Sequence, residues 1–160
     1  MRSALMGILA LVAFALPATA SVPTGTVHFQ SVQNGKFVRA GVTHSTLLAA
    51  VSPHVRGWET FEITEVPSTR DSNGEAFTRT YAIRSMQNGK YVRAGVGQGS
   101  LLAAVSPHIR AWEKFHIIEQ GDGTVVLKSA HSGMIVRGGG YLAASAGRTV
   151  DGEKFRLIPR

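Results

Sequence analysis

Cysteine is absent from all 160 residues. That excludes a disulfide framework, a thiolate nucleophile, a cysteine metal site and a lipoprotein attachment point. Acidic charge is scarce: Asp and Glu total 10 against 17 Lys and Arg, a formal net charge of +7. Such an excess attracts acidic glycans, anionic membranes, nucleic acid and acidic filaments alike, without choosing among them. The charge is scattered, and no run of five like charges occurs, which excludes a basic tail. Helical periodicity is missing beyond the first 20 residues, and those residues hold the one long apolar run. Arg2 supplies a positive start, Leu5 to Leu16 is uncharged and apolar, and Ala18-Thr19-Ala20 is a small-x-small cleavage signal. The pattern is that of a secretory signal peptide. The run falls short of the roughly 18 residues that a membrane span needs. Residues 1–20 are therefore predicted to be removed after Ala20, giving a secreted or cell-surface protein with no membrane span. Arg2 is the leader's one charge, so the remaining 140 residues carry 16 Lys and Arg against 10 acids, or +6. That length suits one domain with a core of its own.

Catalytic signatures are missing as well. There is no Ser/His/Asp arrangement at a recognisable spacing, no HExxH and no P-loop, and Gly138-Gly139-Gly140 is too short to cradle a phosphate. The six histidines are spread along the chain without metal-ligand spacing. The expectation is a protein that is not an enzyme and needs no cofactor and no metal. A nucleic-acid role would rest on charge alone, with no interleaved aromatic motif, and is not predicted.

What the chain does have is repetition. Phe29 to Ile63 and Ile83 to Ile117 align without a gap at an offset of 54, with 23 of 35 positions identical. A third copy begins at Leu127. Ser129, Gly133 and Val136-Arg137 match Ser85, Gly89 and Val92-Arg93. Four loop residues are then missing, after which Leu142-Ala143-Ala144 matches Leu102-Ala103-Ala104 and Glu153-Lys154-Phe155 matches Glu113-Lys114-Phe115. The repeats span about 24–66, 77–120 and 122–160.

Each copy predicts four strands. The first are Val27–Val32, Tyr81–Met86 and Val125–Ala130. Asn34-Gly35, Asn88-Gly89 or Ser132-Gly133 follows, a hairpin signal because a type I′ turn needs φ > 0 at both central residues. Second strands run over Lys36–Ala40, Lys90–Ala94 and Met134–Gly138, and third strands over Leu47–Ser52, Leu101–Ser106 and Tyr141–Ala146. A polar bend leads to the fourth, at Thr60–Val66, Lys114–Glu119 and Lys154–Ile158. A lone hairpin cannot bury its apolar face, so the copies must share a core. An all-β, pseudo-threefold β-trefoil meets that need: six strands close a barrel, three hairpins cap it, and no long edge stays open. Alternation points Val38, Ala40, Leu48, Ala50, Phe61 and Ile63 inward, with their counterparts in the other copies, and Arg39 outward.

Asn88-Gly89-Lys90-Tyr91-Val92, Leu102-Ala103-Ala104 and Trp112-Glu113-Lys114-Phe115 resemble the fascin-like repeat, as do the matching residues of copy one. The resemblance covers nearly all of the chain after the leader. It implies a β-trefoil of the actin-crosslinking type, including the small histactophilin-like form, and so a filament-binding partner. A weaker similarity, in repeated aromatic-x-Arg and x-x-Phe patterns, is to the arabinose-binding trefoil modules of glycosidases. Their paired His and Asp have no matching places here.

Three sets of residues stand out as candidate ligand contacts. Arg39, Arg93 and Arg137 recur at one position in every copy and would present three outward cations to sulfate, carboxylate or phosphate. The structural alternative is that each covers barrel wall and pairs with a local acid. His54, Arg56 and Trp58, and His108, Arg110 and Trp112, form two like clusters suited to sugar stacking or anion binding. Alternatively each Trp packs under its bend. Loops Gly41–Thr46 and Gly95–Ser100 would form rims, and Pro67–Ala76 reads as a surface insertion. The predicted function is a monomeric, exported binding module for carbohydrate or an anionic polymer. Filament binding and a structural coat role are the alternatives.

Overall fold

The computed structural model describes residues 22–44, 46–68 and 79–160. The leader predicted at 1–20 and most of the Pro67–Ala76 insertion lie outside them. Copy one supplies β1 (Gly25–Ser31), β2 (Phe37–Val42), β3 (Leu47–Ser52) and β4 (Phe61–Val66). Copy two supplies β5 (Thr80–Ser85), β6 (Tyr91–Val96), β7 (Leu101–Ser106) and β8 (Phe115–Glu119). Copy three supplies β9 (Val125–Ser129), β10 (Ile135–Arg137), β11 (Ala143–Ala146) and β12 (Lys154–Pro159). The strands of copy three are shortest beside the four-residue deletion.

The Asn-Gly turns depart from the type I′ expectation. Gly35, Gly89 and Gly133 have φ of 68°, 70° and 70°, but the asparagine before the glycine is not left-handed. Its side chain does the work of a second turn residue. Asn34 Oδ1 accepts the Lys36 N–H at 2.9 Å, and its amide donates to the Ala50 carbonyl at 2.9 Å. Asn88 does the same with Lys90 and Ala104, at 2.9 and 3.0 Å. Each asparagine thus ties its turn to the third strand of its own repeat. Ser132 in copy three accepts only the local bond, from the Met134 N–H at 3.3 Å.

Strand pairing closes a ring. β1 pairs with β4, β4 with β5, β5 with β8, β8 with β9, β9 with β12, and β12 with β1. The other six strands are the hairpins β2–β3, β6–β7 and β10–β11. These meet as a triangle at one end: Leu47 faces Ala103, Leu101 faces Ala143, and Ala49 bridges Tyr141. This is the β-trefoil arrangement.

One hydrophobic cluster draws on all three copies. Phe61, Phe115 and Phe155 are fully buried at matching places, and Phe29 meets Phe61 edge to face at 5.6 Å. The residues expected to point inward are buried, apart from a half-buried Leu157. Alternation fails at Ala49 and Ala103, which should face out yet are buried, because the hairpins press together there. Where copies one and two have Ala40 and Ala94, copy three has Gly138, and a Cβ there would collide with the Phe155 ring.

Candidate functional site

The polar bend before each fourth strand is a single 3-10 turn, at Gly57–Glu59, Ala111–Glu113 and Asp151–Glu153. Each ends in a glutamate that is almost wholly buried. One carboxylate oxygen always accepts the N–H opening the turn: Glu59 from Arg56 at 2.8 Å, Glu113 from Arg110 at 2.9 Å, Glu153 from Val150 at 2.8 Å. The second oxygen is treated differently in each copy. Glu113 Oε1 accepts the Ser106 hydroxyl at 2.7 Å, and Glu153 Oε1 accepts Arg137 Nε at 3.2 Å. Glu59 Oε1 has no hydrogen bond, only Arg39 Nη1 at 3.6 Å, because Ser52 turns away to donate to the His54 carbonyl. Sequence reasoning passed over these glutamates. The signal was present: this is the one position at which an acid recurs in all three copies.

Two of the three repeated arginines, Arg39 and Arg137, therefore pair with the buried glutamate of their own repeat. Arg93 is exposed and has no ion pair among the described residues. His54, Arg56, His108 and Arg110 are exposed around the 3-10 turns. Trp58 and Trp112 are half-buried and pack against the core cluster. Each lies flat on a left-handed glycine. A Cβ on Gly41 would stand 2.8 Å from the Trp58 ring, and one on Gly95 would stand 2.6 Å from the Trp112 ring. The structure thus groups Arg39 with the Trp58 turn, while His54 and Arg56 flank that turn. In copy two His108 and Arg110 flank the Trp112 turn in the same way, but among the described residues no ion pair ties Arg93 to Glu113.

Each 3-10 turn also receives one side chain from the turn of the following repeat. Gln87 lies against Gly57, in the space a Cβ would take. His131 stacks on Trp112 with ring centroids 4.2 Å apart and planes tilted by 50°. In the third junction Gly152 stands where the other copies have Trp, and the Gln33 amide reaches over Gly139 toward Gly152. Periodicity could not have disclosed these partners, which come from different repeats.

Two surface depressions open at these junctions. One, of about 530 Å³, lies between β1 and the first 3-10 turn and is lined by His28, Arg56, Gly57, Thr60, Met86 and Arg160, among others. His28 Nδ1 is 3.1 Å from the Glu59 carbonyl oxygen. Thr60 stands here where copies two and three have Lys114 and Lys154. The other, of about 350 Å³, occupies the third junction, with Gln33, Arg137, Gly139, Tyr141, Val150 and Gly152 in its wall. Tyr141 is 49% exposed.

The Asp122 carboxyl is held down to about 2, first by the Thr124 hydroxyl and backbone N–H and then by Lys154. It sits between β8 and β9 and lines neither depression. Among the described residues no group of three or more His, Asp and Glu is placed to hold a metal. No helix among them is long and apolar enough to cross a membrane.

No protein-family model matches the chain, and no curated protein matches it by sequence. Solved structures do match in fold. A designed threefold-symmetric protein, ThreeFoil, superposes with a TM-score of 0.70 at 13% identity, covering 85% of this chain and 99% of its own. The Rhizoctonia solani agglutinin gives 0.69 at 12% identity, covering 89% and 100%. SeviL, solved bound to asialo-GM1 saccharide, gives 0.62 at 15% identity, covering 86% and 98%. At these identities the likeness establishes the β-trefoil fold. The fascin-like resemblance rests on the motif residues quoted above.

Proposed function

We propose that the protein is an exported, non-catalytic β-trefoil module that binds carbohydrate. The observation that carries this reading is the pair of open depressions at the repeat junctions, each combining an arginine with hydroxyl, amide or aromatic groups. Sugar-binding sites use that mixture: planar donors for hydroxyls and an exposed ring or apolar wall for the C–H face. The saccharide-bound SeviL and the Rhizoctonia solani agglutinin, built on the same fold, support it by analogy. The arginines and the Trp clusters flanking the junctions would supply further contacts, and the predicted leader would deliver the protein to the cell surface or beyond.

The test is a glycan-array screen of the purified protein at low and at physiological salt. Selective binding that persists at physiological salt is expected. Binding confined to low salt reduces the positive charge to generic attraction and overturns the reading. No glycan binding, with co-sedimentation on actin filaments, would replace it with the fascin-like alternative.

A further inference from the structure

Copy three departs from copies one and two at several points, and three departures meet in one place. The loop after β10 is four residues shorter than its counterparts, leaving Gly139-Gly140. Tyr141 replaces the aliphatic Leu47 and Leu101. Gly152 replaces Trp58 and Trp112. The first shortens the connection between the two strands of the third hairpin, β10 and β11. The second puts an exposed aromatic ring at the lip, and the third removes the indole that fills the same groove elsewhere. The result is the depression of about 350 Å³ at the third junction. That is within the range of small-ligand sites, about 300–1,000 Å³.

We infer that this cleft is a binding site for one ring of a neutral saccharide. The inference rests on the carbohydrate reading and deepens it by assigning the site and the ligand class. Tyr141 supplies the stacking face. The Gln33 amide offers both a donor and an acceptor beside the glycine floor, suited to a pair of neighbouring hydroxyls. Arg137 adds donors, and its orientation is fixed by the Nε bond to Glu153. Neutrality of the ligand follows from that pair. The guanidinium is compensated by a carboxylate that is 1% exposed, so the cleft has no uncompensated cation to attract an anion. In copies one and two the same groove is closed by an indole lying on glycine.

The experiment uses saturation-transfer NMR with a panel of glucose, galactose, mannose and N-acetylglucosamine, followed by titration of the best binder. Two variants accompany the natural chain. Gly152→Trp installs the residue that copies one and two carry, over Gly139, the counterpart of Gly41 and Gly95. Tyr141→Ala removes an exposed ring and leaves the core intact. Affinity is expected to fall about tenfold or more in both variants, a loss of roughly 1.4 kcal/mol or greater. It should change little between low and physiological salt. A folded Gly152→Trp protein, or the Tyr141→Ala protein, that binds as tightly as the natural chain overturns the site while the carbohydrate reading stands. Binding of acidic glycans alone overturns the ligand class and again spares that reading. Failure of the natural chain to bind any glycan on the array removes both.

Discussion

Trp58 and Trp112 cover Gly41 and Gly95, whereas Gly152 leaves Gly139 beneath nothing larger than the Gln33 amide. The buried glutamate and the barrel phenylalanine are nevertheless the same in all three repeats. The difference separates two kinds of repeated residue. Glu153 and Phe155 persist where the indole is gone, so they belong to the architecture. The indole fills a groove that the architecture tolerates open. Copies one and two use that groove for packing, and copy three leaves it facing solvent.

Substitutions at three depths of the structure should separate copy three from the other two. The largest effect is expected in the core, where the three copies bury equivalent phenylalanines. Phe115→Ala and Phe155→Ala should each cost about 3–5 kcal/mol, measured by urea denaturation. A cost below about 1 kcal/mol for Phe155→Ala would mean that copy three does not share the core. Next come the groove floors. Gly95→Ala places a Cβ 2.6 Å from the Trp112 ring at a φ of 74°, and should cost about 2–4 kcal/mol from strain and crowding together. Gly139→Ala meets only the end of Gln33 and is not left-handed, so it should stay within about 0.5 kcal/mol. Equal costs at the two glycines would contradict the open third groove. The smallest contrast concerns the glutamates. Ser106→Ala strands Glu113 Oε1 and should cost about 1–3 kcal/mol. Ser52→Ala removes a bond to a loop carbonyl and should cost less than about 0.5 kcal/mol. Matching thermal-melt shifts for these two serines would show that Glu113 does not depend on the hydroxyl.

Much of the fold could be read from the residues, because internal repetition and alternation are both local patterns. Leu-Ala-Ala and the Phe of the fourth strand marked the inward faces directly. The turn type was misjudged because Asn34 and Asn88 use their side chains, not their φ, to complete the turn. The 3-10 turns were read only as polar bends, since a three-residue element leaves no periodicity to count. The third-junction cleft was invisible for a different reason. It is defined by a missing side chain at Gly152 and by Gln33, which comes from the far end of the chain. Pattern alone could propose that Arg39 and Arg137 pair with acids but could not name Glu59 and Glu153 as the partners.

The ladder between β1 and β12 runs from Val27 opposite Pro159 to Ser31 opposite Phe155. Its consequence is one of timing. During synthesis β1 precedes the other described strands, yet its partner β12 is translated only after all eleven before it. Until then one side of β1 is an unprotected hydrogen-bonding edge. Two adjacent copies that share 23 of 35 residues offer that edge close but wrong substitutes, from the same chain or from a neighbouring one. A chain cut short before Lys154 would keep that exposure permanently, and aggregation or strand exchange between molecules would be its natural fate.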